Sequence, residues 1–278
     1  MRANGIITLT TDFGQVDSYV GIMKGVILNI TPTAQLVDIT HAIRPQDVHQ
    51  AAYIVQTFHG YFPPGTVHLI VVDPGVGSDR RTIAFGTPVA IFVAPDNGVL
   101  TYAWRDARAR WGPGACEVVE LVERRFWLDR VSSTFHGRDI FAPVAAHLAG
   151  GVPLSALGPR IGAPIEALLE EPAYGRTGGL VGRIIHVDYF GNCVTNITPQ
   201  HLREVGMEHE LVVEIIDQQI VGLCKTYADG PIGMLIALIG STDQLELAVR
   251  NGSAAQTLGV GIGDTVRVRP LSTRYGHR

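Results

Sequence analysis

Residues 67–81, VHLIVVDPGVGSDRR, contain a predicted strand and the turn that follows it. The first half is a continuous apolar run, which is typical of a strand buried in a sheet. Because proline disfavours the helical region for the residue before it, Asp73 is predicted to be extended at the end of this strand. Gly75 and Gly77 leave room for a ligand to approach closely, and Arg80 lies within reach of the same turn. An Asp–Arg pair alone indicates a structural ion pair, whereas this glycine-rich setting favours a functional one.

Strands and helices alternate around this segment. An apolar stripe of helical period in residues 19–30 lies between strands predicted at residues 5–11 and 35–39. A second helix around Val48 and a short strand pair within residues 82–94 follow. This alternation predicts an α/β fold, in which a three-layer N-terminal domain contains a mainly parallel sheet with right-handed crossovers.

Three aspartates, Asp12, Asp73 and Asp96, each follow a predicted strand of this sheet. In parallel sheets, ligands bind beyond the carboxyl ends of the strands, so these carboxylates are expected at one edge. Asp12, in the TTDFG turn, is either a turn or helix-capping residue or a ligand of ribose hydroxyls.

The second half of the chain has a different pattern. A Pro/Gly-containing stretch at residues 170–179 predicts the boundary between an N-terminal domain, residues 1–172, and a C-terminal domain, residues 178–278. Short strands without helices between them predict an antiparallel barrel or sandwich there. These strands are predicted at residues 180–187, 211–216, 234–239, 245–249 and 265–268.

Composition excludes several classes of protein. The 278 residues are 46% hydrophobic and 17% charged, which describes a globular chain rather than a disordered one. A net charge of −4 without a Lys/Arg cluster argues against a nucleic-acid or membrane partner. The longest apolar stretch, residues 234–239, is too short to span a membrane. Three widely spaced cysteines and a strand near the start of the chain predict a cytoplasmic protein without a signal peptide.

His136 lies in STFHGRDIFAP, just before a helix predicted at residues 140–148. A lone histidine is usually solvated or a satisfied hydrogen-bonding residue. Near a helix N-terminus, however, the imidazolium form is disfavoured, so a neutral imidazole is available as a base.

Metal and nucleotide-cofactor motifs give little signal. Asp38, His41, Asp47 and His49 resemble a ligand cluster, but their spacing matches no structural zinc pattern, and helix capping and exposed polar positions explain them more simply. No G-x-G-x-x-G follows the first strand and no Walker loop is present, which argues against a cofactor that carries a pyrophosphate.

Polar residues of the C-terminal half form two weaker patterns. Asn192, in DYFGNCVTNI, either stabilises a turn or offers its amide to a purine edge. The segment GSTDQLELAVRNGSAA places Ser241, Glu246 and the backbone near Val249 around a Gly/Asn loop.

Taken together, TTDFG, VVDPGVGSDRR, VAPDNGVL, STFHGRDIFAP, DYFGNCVTNI and IGSTDQLELAV, in this order, resemble the S-adenosyl-L-methionine (SAM) hydroxide adenosyltransferase family. That family comprises SAM hydrolases and is related to fluorinases and chlorinases. The resemblance implies an N-terminal α/β domain and a C-terminal β-barrel domain. It also implies a homotrimer that binds SAM between two subunits, with no metal or other cofactor.

The resemblance also implies residue roles. Asp73, Arg80 and His136 match the trio that handles the attacking water. Asp12 matches the ligand of the ribose diol, and Phe135 is expected to line the ribose pocket. Positions that contact adenine or the methionine end correspond to Asp188, Asn192, Ser241, Glu246 and the Val249 backbone.

Two departures from the halogenating relatives favour water as the nucleophile. Those relatives carry an aromatic residue where Asp73 stands and an extra loop after that strand, whereas residues 82–99 run short here. The predicted reaction is hydrolysis of SAM to adenosine and methionine, with His136 as base or relay and Asp73 positioning the water. The alternatives are a SAM-dependent halogenase, a metal-dependent hydrolase of another substrate, and a non-catalytic SAM or adenosine sensor.

Overall fold

The computed structural model describes residues 2–175, 179–206 and 210–271. The chain divides into two compact units, Met1–Leu168 and Leu169–Arg278. Thr177 and Gly178, which belong to the predicted boundary, lie outside the described residues. Each unit is described by itself below.

The first unit is a seven-stranded sheet with helices on both faces. Its strands are β1 (Ile6–Thr11), β2 (Gln35–Thr40), β3 (Thr66–Val71), β4 (Thr82–Gly86), β5 (Ala90–Pro95), β6 (Glu117–Glu120) and β7 (Arg160–Ile161). Its helices are α1 (Tyr19–Ile30), α2 (Val48–Phe58), α3 (Thr101–Trp111) and α4 (Ala142–Ala149). The strand order is β2-β1-β3-β5-β4-β6-β7. Strands β2, β1, β3 and β5 are parallel, and β4 and β7 run in the opposite direction.

Alternation along the strands builds two cores, one on each face of the sheet. Leu69 and Val71 of β3 face the core that contains α1 and α4, whereas Ile70 and Val72 face the core that contains α2 and α3. The continuous apolar run of this strand is therefore buried on both sides, as strands in parallel sheets usually are. The predicted three-layer α/β fold with a mainly parallel sheet is confirmed.

The carboxyl ends of β1, β3 and β5 meet at one edge of the sheet. These strands are neighbours, and Thr11 of β1 is in register with Val71 of β3. Asp12, Asp73 and Asp96 follow the three strands directly or after one residue. The predicted common edge is therefore confirmed.

The second unit is an eight-stranded, antiparallel sheet. Its strands are β8 (Ala173–Tyr174), β9 (Leu180–Val187), β10 (Cys193–Thr195), β11 (Leu211–Ile215), β12 (Gln218–Val221), β13 (Leu235–Ile239), β14 (Leu245–Val249) and β15 (Thr265–Pro270). Two short helices, α5 (Pro199–Glu204) and α6 (Ala254–Leu258), accompany them. Seven strands follow the order β12-β11-β15-β9-β10-β14-β13, and the eighth, β8, pairs with β9 outside this order. The end strands β12 and β13 are in contact, so the sheet is nearly closed. The predicted antiparallel barrel is confirmed.

Short elements account for the differences from the sequence-based prediction. Strands β6, β7, β8, β10 and β12 were not predicted, because two to four residues carry too little periodicity. The predicted helix at residues 140–148 is α4 preceded by a π-helical turn, Gly137–Phe141. In the described part of the chain, no helix is both long and apolar enough to cross a membrane.

Candidate active site

Asp73 and Arg80 form a buried, two-point ion pair. Arg80 Nε donates to Asp73 Oδ1 at 2.7 Å, and Arg80 Nη2 donates to Asp73 Oδ2. The two side chains are only 9% and 6% exposed, and the guanidinium stacks 5.4 Å from the Phe141 ring centroid. Paired contacts of this kind fix both direction and charge. Arg81 pairs instead with buried Asp96, through its Nε at 2.7 Å from Asp96 Oδ2, so only one of the adjacent arginines joins the trio.

Position 77 requires glycine because of its backbone conformation and its close neighbours, not because of a bound ligand. Gly77 has φ +79°, and a Cβ there would collide with the Ser133 carbonyl oxygen. The turn thus lies against the residues that precede His136. Gly75 is less constrained, since its Cβ would lie 3.3 Å from Arg80 Cγ and Ser78 Oγ. Gly77 was expected to leave room for a ligand, but the glycine is needed there because the two loops pack closely.

His136 joins the pair through Arg80. Arg80 Nη2 lies 2.8 Å from His136 Nδ1. A guanidinium only donates hydrogen bonds, so Nδ1 accepts and the neutral ring carries its proton on Nε2. Burial lowers the His136 pKa, and the Arg80 charge lowers it further, while Asp73 and Asp139 oppose the shift. The neutral imidazole expected from the sequence is thus favoured, chiefly by burial and Arg80.

Asp12 lies close to this trio at the same edge. Its Oδ2 accepts the backbone N–H of Gln46 at 2.8 Å. Burial raises the Asp12 pKa, the Gln46 N–H lowers it, and the negative charge of Asp73 raises it again. The structure therefore brings Asp12, Asp73, Arg80 and His136 together within the first unit.

Phe135 belongs to an aromatic cluster beside Asp12. Its ring centroid lies 5.8 Å from that of Phe13 and 5.2 Å from that of Tyr19, in edge-to-face geometry. The Arg138 guanidinium lies 5.1 Å from the Phe135 centroid and also binds Asp139 through Nε at 2.6 Å. The predicted pocket-lining residue is thus held against the ring of Phe13, the residue that follows Asp12.

The second unit contains an open cavity of about 800 Å³. Asp188, Asn192 and Val249, three of the predicted binding residues, line it together with Phe190 and Tyr227. Asp188 accepts the backbone N–H of Asn192 at 2.8 Å and its side-chain amide at 2.9 Å. Asn192 therefore stabilises its turn, and only one of its two amide N–H groups is used in doing so.

Glu246 contacts the cavity-lining residue Tyr227, and neither Glu246 nor Ser241 lines the cavity itself. Glu246 is 6% exposed and accepts the hydroxyl of Tyr227 at 2.6 Å. Burial raises the pKa of Glu246, and this hydrogen bond lowers it. Ser241 lies in the exposed turn between β13 and β14 and is not among the cavity-lining residues. Tyr227 was not predicted; the Thr226–Asp229 capping box around it is the one sequence signal that marks its turn.

The polar segment after β2 has structural partners. Asp47 caps α2 by accepting the Gln50 N–H at 2.8 Å, and Asp38 pairs with Lys24 at 2.6 Å. Within the ranges that the structure describes, no group of three or more His, Cys, Asp or Glu side chains is arranged to hold a metal ion. The capping interpretation of Asp47 is therefore the one that the contacts support.

Fold and site together define a two-unit α/β protein with a polar site at the carboxyl edge of its sheet. The sequence family model of the SAM hydroxide adenosyltransferase N-terminal domain matches residues 7–158. The family model of the C-terminal domain matches residues 182–267. The chain belongs to the SAM hydroxide adenosyltransferase family, as the motifs implied.

Named relatives extend over nearly the whole chain. An "(R)-S-adenosyl-L-methionine hydrolase" of Salinispora tropica is 39% identical over 267 residues, covering 94% of this chain and 97% of the relative. A "Fluorinase" of Nocardia brasiliensis is 28% identical, covering 95% and 96%. The crystal structure of an uncharacterized conserved protein from Thermotoga maritima superposes with a TM-score of 0.85 at 37% identity, covering 95% of this chain and 99% of that one.

Proposed function

We propose that this protein hydrolyses SAM to adenosine and L-methionine. Water attacks C5′ of the ribose in line with the sulfonium, a C5′–O bond forms, and the C5′–S bond breaks with its electron pair on sulfur. Methionine leaves as a neutral thioether, and one proton leaves the attacking water. The observation that carries the proposal is the Asp73–Arg80–His136 chain at the sheet edge, in a member of this family.

The demanding step is formation of the nucleophile. Bulk water has a pKa of about 15.7, so its deprotonation is costly without assistance. Arg80 supplies a fixed positive charge that stabilises developing hydroxide, and Asp73 holds that charge in place. Because a neutral leaving group needs no electrophilic help, the proposed reaction requires no metal or other cofactor.

His136 is the proposed proton acceptor or relay. Its Nδ1 accepts from Arg80, so in this arrangement Nε2 carries the ring proton. Proton acceptance therefore requires the Arg80–His136 contact to open during the reaction. In this scheme the Arg80–His136 hydrogen bond breaks as His136 takes up the proton, because an imidazolium has no nitrogen left to accept from Arg80.

Substrate binding is proposed to use both units. Asp12 holds the ribose diol beside Phe135, since a carboxylate accepts from two hydroxyls at once. In the second unit, the remaining N–H and the carbonyl of the Asn192 amide match the edge of adenine. Asp188, Ser241, Glu246 and the Val249 backbone complete the proposed contacts to adenine and the methionine end.

Both groups of residues are proposed to meet at an interface between subunits of a homotrimer. The resemblance supports this assembly, and exposed apolar side chains on the first unit, Val16 and Tyr19 among them, provide surface for it. Three free cysteines, Cys116, Cys193 and Cys224, support a cytoplasmic location. Light scattering tests the trimer: a monomer at micromolar concentration contradicts it.

The activity is tested by incubating chelator-treated protein with SAM and separating the products by chromatography and mass spectrometry. Adenosine and methionine in chloride-free buffer support the proposal. A halo-deoxyadenosine that forms only with added chloride or fluoride indicates the halogenase alternative, which the fluorinase relatives motivate. SAM bound but intact after hours indicates a sensor, and activity lost to chelator alone indicates a metal-dependent enzyme.

A further inference from the structure

Residues 41–47, which follow β2, lie against the turn that carries Asp12. Gly14 N donates to the His41 carbonyl at 2.7 Å, and Gln46 N donates to Asp12 Oδ2 at 2.8 Å. The segment therefore holds the Asp12 turn at two points. One point fixes the backbone after Asp12, and the other fixes the carboxylate itself.

A buried histidine extends this support into the core. His41 is 2% exposed, and its Nε2 lies 3.0 Å from Asp38 Oδ1, an ion-pair distance without hydrogen-bond alignment. A ring nitrogen that faces a carboxylate carries the proton, so Nδ1 accepts from the Thr11 hydroxyl at 2.9 Å. Thr11 Oγ1 in turn accepts the N–H of Phe13 at 3.2 Å. The chain of contacts thus fixes the residues on both sides of Asp12.

Gln46 adopts a backbone conformation that its side chain does not explain. Its φ is +67°, in the left-handed region that non-glycine residues rarely occupy, and its side chain is exposed. Strained backbone persists where the surroundings hold it, and it clusters at ligand sites. Here the strained residue directs its N–H at the Asp12 carboxylate.

We propose that residues 41–47 are a positioning element for nucleoside binding, in which His41 and the Gln46 backbone orient Asp12 towards the ribose diol. Neither residue touches substrate in this account; both act through Asp12. The inference rests on the proposed function, because it requires Asp12 to bind a nucleoside diol.

Titration calorimetry with two nucleosides tests the coupling. Adenosine carries the 2′,3′-diol and 2′,3′-dideoxyadenosine lacks it, so an effect transmitted through Asp12 appears with the first ligand only. His41→Leu removes the contact to Thr11 and is expected to weaken adenosine binding roughly tenfold, leaving dideoxyadenosine binding unchanged. His41→Asn keeps an acceptor near the Nδ1 position and is expected to restore adenosine binding. His49→Leu, at an exposed histidine of α2, is the matched control.

A second pair of variants tests the backbone contact without touching the core. Gln46→Gly keeps the N–H and suits a positive φ, so adenosine binds as in the wild type. Gln46→Val keeps the N–H, but a β-branched residue opposes this φ, so adenosine binding weakens while dideoxyadenosine binding does not.

The outcomes separate this inference from the proposed function. Equal losses for both nucleosides in His41→Leu and Gln46→Val mean a merely structural role and overturn the inference. If the wild type binds adenosine more tightly than dideoxyadenosine and the variants keep the same ratio, the inference is overturned as well. The proposal of SAM hydrolysis is not affected by that result. If the wild type binds adenosine more tightly than dideoxyadenosine but leaves SAM intact, only the proposal of hydrolysis is overturned. If it shows neither this difference in binding nor SAM turnover, the inference and the proposed function are both overturned.

Discussion

Arg80 and His136 meet through one hydrogen bond, from Arg80 Nη2 to His136 Nδ1 at 2.8 Å. The same nitrogen of Arg80 also donates to Asp73 Oδ2. One guanidinium nitrogen thus joins the carboxylate and the imidazole and sets the tautomer of the ring. This geometry determines how the site responds to pH and to substitution.

Activity is expected to fall on the acidic side at a pH below the ordinary histidine pKa of about 6.5. Burial and Arg80 lower the His136 pKa, so the neutral ring persists to lower pH than in a free histidine. The profile of kcat/KM against pH, which reports groups of the free enzyme, measures this inflection. In Asp73→Asn the His136 pKa itself, followed by NMR titration because it needs no turnover, moves lower still, since the carboxylate that favours the imidazolium is gone. An inflection above 6.5 in the wild type contradicts the arrangement.

The planar guanidinium, rather than positive charge alone, is expected to matter at position 80. Lysine keeps the charge but loses the fork that binds Asp73 and His136 together, so Arg80→Lys is expected to lower kcat about 100-fold. Arg81→Lys changes the adjacent residue, which pairs with Asp96, and is expected to leave kcat near the wild-type value. Steady-state kinetics on both variants decides the matter; similar losses in the two would mean that the effect is structural.

Tyr227 is expected to support substrate binding through Glu246. Tyr227→Phe removes the hydroxyl at 2.6 Å from Glu246 and leaves a buried carboxylate without that donor. Loss of one partner of a buried charged group costs about 1–3 kcal/mol, so the KM for SAM is expected to rise roughly tenfold. Tyr189→Phe, at a residue that is 99% exposed, is the control and should leave KM unchanged. An unaltered KM in Tyr227→Phe would remove this residue from the site.

Mixed assemblies test whether each site draws on two subunits. Asp73→Asn and Asn192→Ala alter different units and are each expected to be nearly inactive. If sites form between subunits, coexpressing the two variants in equal amounts gives about a quarter of the sites a wild-type set of residues. Sites formed within one subunit give no such recovery, so specific activity of the coexpressed protein discriminates directly between the two arrangements.

The parallel sheet and the position of its aspartates were predictable because they follow from local patterns. An apolar run that ends in Asp-Pro specifies both the strand and the place of Asp73. The choice of partner was not predictable: Arg80 binds Asp73, whereas its neighbour Arg81 binds Asp96. That choice depends on which side of the turn each side chain emerges from, and adjacent arginines in a sequence do not reveal it.

Contacts that depend on backbone conformation could not be predicted from the sequence either. A glutamine at a positive φ is rare, so nothing in HAIRPQD marks Gln46 as the donor to Asp12. Gly77 was expected to make room for a ligand, but its neighbour is the Ser133 carbonyl, which is distant in sequence. Tyr227 was missed because it is marked by its contact with Glu246, a partner that is distant in sequence.

The origin of the oxygen in the product tests the central claim most directly. SAM is incubated with the wild-type protein in ¹⁸O-labelled, chloride-free water, and the nucleoside and methionine are analysed by tandem mass spectrometry. Water attack at C5′ predicts adenosine that carries the label at its 5′-oxygen, together with unlabelled methionine. Unlabelled adenosine, or SAM that remains intact until a halide is added, would contradict the account.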